Sequence, residues 1–344
     1  MWMVENETPF AADRNWAIDK HGAKSWIVVV RATFDVLPDG STQPAAEQPP
    51  PLLDGAFRGD PATSSLVYEA DLIYDKQRTD VLLNGHAYAP RGAAAAESLV
   101  MLRVGALSKT LRITGDRVWE DSVVGPVLTE PQPFTHMPIT YERAFGGFDT
   151  LPPDPKDHRM EPRNPVGTGF VVRREHLIGR PAPNVELPDR PGAPAGFGAI
   201  ASFWQPRQRY AGTYDDAWMR DRMPLLAEDF DEQYFQCAPE DQQTRGFLRG
   251  GEAVELTNLT PGGRSAFALP RVHPSFVTHF GRETVAHGGR LHTVILEPDG
   301  PRVTLVVHTR LPCHHKVDRL DVTVVRDRTW APGRAAAAAP GARS

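Results

Sequence analysis

Ser25-Trp-Ile-Val-Val-Val-Arg-Ala-Thr-Phe-Asp-Val36 is the most strongly patterned stretch of the 344-residue chain. β-Branched and aromatic side chains fill most of it, and neither glycine nor proline interrupts. Such residues fit the pleated, half-buried surface of a sheet better than a helix, so the stretch predicts a strand. Similar runs follow at Leu66–Ile73, Thr79–Ala89, Ser98–Val104 and Lys109–Val118. Gly105-Ala-Leu-Ser108 reads as a hairpin turn, and Gly115-Asp116 as another tight turn. Near the other end, Ala253–Leu259, Ala266–Leu269, His292–Leu296, Arg302–Thr309 and Val317–Val325 read the same way, with Pro298-Asp-Gly300 turning a late hairpin. The expectation is a mainly β protein: antiparallel, sandwich-like sheets, long Pro/Gly-rich ordered loops and a few short helices.

Between these β regions the character changes. Residues 126–250 are dense in proline yet rich in Phe, Tyr and Trp, a composition foreign to disordered linkers. Folded irregular structure is expected there, with short helices at Asp215–Arg222 and Glu228–Gln236. The chain thus divides into an N-terminal β region (1–125), the loop-rich aromatic region (126–250), a C-terminal β region (251–330) and an Ala/Pro/Gly/Arg tail (331–344) expected to be disordered.

Charge is nearly balanced, 38 basic against 43 acidic residues, which gives no concentrated basic surface for nucleic acid or an anionic membrane. Apolar runs are too short to span a bilayer and no signal-peptide pattern opens the chain, so a cytoplasmic protein is expected. Two cysteines, Cys237 and Cys313, exclude a disulfide framework, and neither has metal-binding CxxC spacing.

Tyr141-Glu-Arg-Ala-Phe-Gly-Gly-Phe-Asp149 offers Glu142 and Asp149 as a carboxylate pair of the kind glycoside hydrolysis uses. The stronger reading is a bend made by Gly146 and Gly147, with Glu142 and Arg143 paired to neighbours. Asn164-Pro-Val-Gly-Thr-Gly-Phe170 resembles a phosphate cradle but lacks the Lys-Ser/Thr of a P-loop; Pro165, Gly167 and Gly169 describe a stiff turn. The acids of Glu228–Glu232, with Glu240 and Asp241, lack the glycine and terminal glutamate of a calcium loop. Seven late histidines (273, 279, 287, 292, 308, 314 and 315) show no HExxH or close HxH spacing, and Cys313-His-His315 would need a ligand from elsewhere to hold a metal. No GxSxG motif nominates a nucleophilic serine. No catalytic residue, cofactor or metal is therefore assigned. Trp204, Arg207, Tyr210, Tyr214 and Trp218 mix rings with arginine as interface hot spots do, and mark a candidate partner-binding segment.

One ordered series of short words runs through the chain. After the stretches at 141–147 and 164–170 come Pro183-Asn-Val-Glu-Leu-Pro188, Gly196-Phe-Gly198, Trp204-Gln-Pro-Arg207, Tyr210-Ala-Gly-Thr-Tyr-Asp215, Trp218, Asp229-Phe-Asp231, Phe235, Ala238-Pro-Glu-Asp-Gln242, Gly250 and Leu256-Thr-Asn-Leu-Thr-Pro261. This series resembles the bacterial domain-of-unknown-function family encoded beside PAAR and VgrG spike proteins in type VI secretion clusters. The resemblance implies a cytoplasmic, non-enzymatic adaptor or chaperone that binds a secreted effector, often PAAR-linked, and helps load it onto the VgrG spike. It implies no partner-binding residues. A carbohydrate-active enzyme or carbohydrate-binding module on a β-sandwich is the alternative, since exposed rings also stack on sugars; a metal-dependent hydrolase using the late histidines is a further rival.

Overall fold

The computed structural model describes residues 2–313 and 316–330. The expected tail (331–344) and His314 and His315 of the Cys313-His-His315 reading lie outside the described residues. Lys24–Val36 is a thirteen-residue interior strand, the longest of a six-stranded sheet and second from its edge. It pairs antiparallel with Ala11–Ile18 on one side and with Arg302–Pro312 on the other, and Thr42–Pro44 adds a short antiparallel pairing at its end. Beyond Arg302–Pro312 come Arg290–Glu297, antiparallel, and Asp80–Leu83, parallel to Arg290–Glu297. Two further sheets accompany it. One has five strands in the order Val185–Glu186, Leu107–Thr114, Glu97–Val104, Ala253–Thr257, Arg264–Ala268. The other has four, in the order Met3–Asn6, Leu320–Arg326, Ser275–Phe280, Glu283–Gly288. The protein is mainly β, and its larger sheets are mostly antiparallel.

Alternation along the central strands decides which face goes where. Trp26, Val28, Val30, Ala32 and Phe34 join Val303, Leu305, Val307, Val294 and Leu296 in one large apolar core. The five-stranded sheet contributes Val100, Leu102, Leu111 and Val254 to that core, and the four-stranded sheet Phe276, Phe280, Leu320 and Val325. Fully burying each such side chain is worth about 1.5–3 kcal/mol, so this sandwich layer dominates the favourable side of the balance. The intervening residues, Ile27, Val29, Arg31, Thr33, Thr304, Val306, His308 and Asp80, are also buried, although many are polar. Loops cover that second face, and their side chains satisfy its polar groups. Asp71 pairs with Arg31 at 2.5 Å, for example, and His308 bonds the Ile73 carbonyl at 2.9 Å. The first, middle and last regions of the sequence all supply residues to the one large core.

Most expected elements form with shifted ends, including the hairpin in which Leu107 pairs with Val104 and the helix Asp216–Asp221 capped by Asp215. Three differ. Leu66–Ile73 is a strand only at Leu66–Tyr68, because the residues after it turn inward as loop. Thr79–Ala89 splits into Asp80–Leu83 and His86–Tyr88 at Asn84-Gly85. Of Glu228–Gln236 only Glu232–Phe235 winds, as a 3₁₀ turn capped by Asp231.

Candidate functional site

The two glycine-rich words meet in space. Phe145-Gly146 lies parallel to Thr168-Gly169, a two-residue pairing that draws the backbones together. Asn164, fully buried, donates from Nδ2 to the carbonyls of Tyr141 (2.8 Å) and Phe145 (3.0 Å). Asn164-Pro165-Val166-Gly167 closes a turn through Gly167 N–H to the Asn164 carbonyl. A Cβ on Gly146 would stand 2.2 Å from the Asn164 carbonyl oxygen, so no side chain fits there. Gly147 and Gly169 hold φ of 110° and 92°, which L side chains rarely adopt. Tyr141 is buried with its hydroxyl donating to the Gly198 carbonyl. Arg143 reaches Asp116 and Asn184 at 3.1 and 3.0 Å.

Glu142 and Asp149 are held by separate donor sets. Glu142 accepts from the backbone N–H and hydroxyl of Ser65 at 2.7 and 2.9 Å. Burial is the largest single influence and opposes its ionisation, but the Ser65 donors, its own backbone N–H and Thr140 together outweigh it and hold the carboxyl below its usual range. Asp149 accepts from the N–H groups of Leu151 and Val172 and lies 3.2 Å from His176 Nδ1. Both acids organise loops.

The aromatic segment divides by depth. Trp204 is buried and meets Tyr141 edge-on at 5.7 Å. Arg207 is buried too: it pairs with Glu69 and donates to the carbonyls of Ile200 and Tyr234, so it ties loops together inside the molecule. Tyr210, Tyr214 and Trp218 remain nearer the surface, with Tyr214 the most open of the three. Tyr214 and Trp218 contact edge-on at 4.8 Å, which is not the flat platform a sugar face stacks upon. Of the acidic run, Asp229 accepts from Thr213 twice at 2.8 Å and Asp231 caps the following turn, so both are engaged as loop and turn acceptors.

The loop-covered face of the main sheet holds groups that sequence spacing did not single out. Lys76 donates to Asp80 (2.5 Å) and Thr293 (3.0 Å), and Cys237 Sγ is 3.4 Å from its ammonium. Burial alone would lower the Lys76 pKa, yet Asp80 and its neighbours outweigh burial and hold it above its ordinary range. Burial pushes the Cys237 thiol up to about 12, so it lacks the thiolate a nucleophilic cysteine needs. Beside this network Asp75, His292 and His308 converge, all buried. Burial lowers the His292 pKa to about 4, and burial with the adjacent His292 holds that of His308 well below its ordinary value, so both imidazoles are neutral near pH 7. The signal that could have found these groups is polar side chains at inward positions of strands otherwise built from valine and leucine.

His287 gives a measurable consequence. Thr278 and Thr309 hydroxyls hold its two nitrogens at 2.8 and 2.7 Å, and burial lowers its pKa to about 4. A base whose pKa is depressed on folding binds its proton first in the unfolded chain. Its contribution is therefore complete above about pH 6.5 and is lost as pH falls towards about 4. After discounting for partial exposure, the loss is on the order of 1–2 kcal/mol. Urea midpoints measured between these pH values should decline less in His287→Asn than in the parent; equal declines would contradict the assignment.

The outer surface of residues 118–178 is different again. This segment is less than a fifth of the chain, yet it carries more than half of the exposed large apolar side chains among the described residues. Trp119-Glu120 and Val127-Leu128 form a hairpin, and Val123 and Val124 at its tip are almost fully exposed. Gly179 N–H bonds the Trp119 carbonyl, which sets the exposed Ile178 next to this hairpin in the chain's path. Phe148 pairs across two short strands with Met160, and Val172 N–H bonds Asp149, placing three more exposed apolar residues about one loop cluster. Soluble proteins seldom leave apolar side chains so concentrated unless something covers them.

No helix among the described residues is long and apolar enough to cross a membrane. No curated protein and no solved structure matches the chain. A family model described as "Uncharacterized protein conserved in bacteria (DUF2169)" matches residues 21–308, which take in the central strand, both glycine-rich words and the loop-covered face. The protein therefore belongs to the DUF2169 family of bacterial proteins.

Proposed function

We propose that this protein is a non-enzymatic adaptor that binds a secreted effector, PAAR-linked, and helps load it onto the VgrG spike of a type VI secretion system, acting in the bacterial cytoplasm. The observation that carries a binding role is the concentration of exposed apolar side chains on residues 118–178, set on loops held by an ordered β scaffold. Loops already fixed lose less conformational entropy on docking than free ones. Bonds such as those of Asn164 and Asp149 fix these loops. The kind of partner comes from the resemblance of the ordered sequence words to the secretion-adaptor family. The Tyr210–Trp218 end of the aromatic segment is a secondary contact in this reading, while buried Trp204 and Arg207 support it from within.

The test is binding of a PAAR-linked effector by the purified protein. The double variant Val123→Asp/Val124→Asp changes two side chains at an open hairpin tip, so its thermal midpoint should match the parent's. Its affinity should fall at least tenfold, about 1.4 kcal/mol or more. Undiminished binding would remove this surface from the interface, and absence of binding by the parent would remove the adaptor reading.

A further inference from the structure

Strand Arg290–Glu297 begins beside a recess of about 430 Å³, walled by the 247–250 loop, the 270–273 loop and the first residues of the strand. Val272, Leu291 and Val307 line it from the buried side, and Arg249, His273 and Arg290 from the exposed side. No aspartate or glutamate lines it, although acids outnumber bases in the chain, 43 to 38. The walls are fixed from behind. Leu248 N–H donates to Thr79 Oγ1 at 2.9 Å, and that hydroxyl donates to the Leu291 carbonyl at 2.5 Å, so one side chain ties loop to strand. Gly250 holds a φ of 79°, and a Cβ there would stand 2.4 Å from the Pro270 carbonyl oxygen. With Gly251 N–H on the Leu269 carbonyl at 2.7 Å, the two loops lie backbone against backbone.

The cations are placed as well. The Arg290 guanidinium lies 5.2 Å from the centre of the Phe247 ring. Phe247 stacks on His292 at 5.8 Å and His292 on His308 at 4.1 Å, so a column of rings backs the arginine. Asp75 Oδ2 is 3.8 Å from Arg290 but 3.1 Å from Arg310, which takes the larger share of its charge. Arg249 makes no ion pair and no side-chain hydrogen bond among the described residues. Two acids beside the recess serve the backbone instead: Glu252 accepts from the Arg249 N–H at 2.8 Å, and Asp327 from the His273 N–H at 2.7 Å. An apolar recess with two guanidinium groups on its open side selects a carboxylate a few bonds from an apolar group. The last residue of a polypeptide has that chemistry, since its carboxylate and side chain leave the same carbon. Gly250 and Gly289 also line the recess, and their peptide groups make no hydrogen bond among the described residues. A peptide can pair with such groups, whereas an acyl chain would cover them unpaired.

We propose that this recess binds the free C-terminal carboxylate of a partner polypeptide whose last residue is aliphatic or aromatic. The carboxylate pairs with Arg249 and Arg290, and the side chain enters towards Val272 and Leu291. No residue of the 118–178 segment lines the recess, so this contact stands or falls separately from that surface.

The test is fluorescence polarisation of the purified full-length protein with labelled short peptides ending in Leu, Phe or Ser, each with a free or an amidated C-terminus. Free-carboxylate peptides ending in Leu or Phe should bind, and amidation or a terminal Ser should weaken binding at least tenfold. Arg249→Gln changes an exposed, unpaired side chain, so its thermal midpoint should match the parent's while binding falls at least tenfold; Arg249→Lys should lose less. Val123→Asp/Val124→Asp should bind the peptides as the parent does, which separates this recess from the proposed effector surface. The proposal is overturned if no free-carboxylate peptide binds, if amidated peptides bind equally well, or if folded Arg249→Gln binds like the parent. Binding of decanoate but of no peptide would make this an acyl-carboxylate site and overturn the polypeptide occupant.

Discussion

Gly146→Ala is expected to abolish folding, or at the least to lower stability by about 3 kcal/mol or more. The new methyl would lie 2.2 Å from the Asn164 carbonyl oxygen and 2.8 Å from Asn164 Cβ, on a residue that is itself fully buried. Asn164 has no room to retreat, because its side chain holds the Tyr141 and Phe145 carbonyls from the other side. The φ of 153° adds backbone strain for any L side chain. Gly262→Ala is the comparison: nothing lies within 4 Å of its added Cβ and its φ is not in the strained range, so its stability should change by no more than about 0.5 kcal/mol. Urea unfolding of the two variants settles the matter, and equal midpoints would show that the meeting of the two glycine-rich words tolerates expansion.

Lys76→Met is expected to cost about 3–5 kcal/mol, because it leaves the Asp80 carboxylate buried without its counter-ion. Both side chains are almost wholly inaccessible, and Asp80 is tied to Gln236 Nε2 and Cys237 N–H at 2.8 Å each. Water cannot replace the ammonium there. Neutralising the partner as well, in Lys76→Met/Asp80→Asn, should restore a large part of the loss, since the amide oxygen can keep one of these acceptor roles without the charge. Chemical denaturation of the two variants measures the difference. A double variant no more stable than Lys76→Met would mean that lost packing of the lysine stem, not the stranded charge, sets the cost.

The central strand was legible because its alternation is clean and its residues have one good use. The same logic overextended Leu66–Ile73. That run has strand-like residues, but Asp71 and Asp75 belong to it and its sequel, and the sheet's inward Arg31 and Arg310 draw them into a covering loop. Depth was the harder quantity. Residue type marked Trp204 and Arg207 as contact makers, and they are, but towards Tyr141 and Glu69 within the molecule. An arginine's burial depends on whether a carboxylate waits inside, and Glu69 lies 138 residues away in sequence. The edge strands Ala11–Ile18 and Glu283–Gly288 escaped notice because one mixes in charge and the other has little to bury. The buried Asp75, His292 and His308 cluster could not be found by motif spacing, which registers only groups that are neighbours along the chain.

The pairing of Lys24–Val36 with Arg302–Pro312 also bears on how the protein is made. Asp35 pairs with Arg302, so the strand's main partner is synthesised 267 residues after it. At about 5–20 residues per second a ribosome needs roughly 15–50 s to cover that distance. Through that interval the nascent chain carries a valine-rich strand with one long edge unpaired, the kind of segment that joins to other chains. A protein proposed to shelter a secreted cargo is thus itself a demanding client for cellular holding factors, and raising the level of such factors during its synthesis should raise soluble yield more than adding stability to the finished fold.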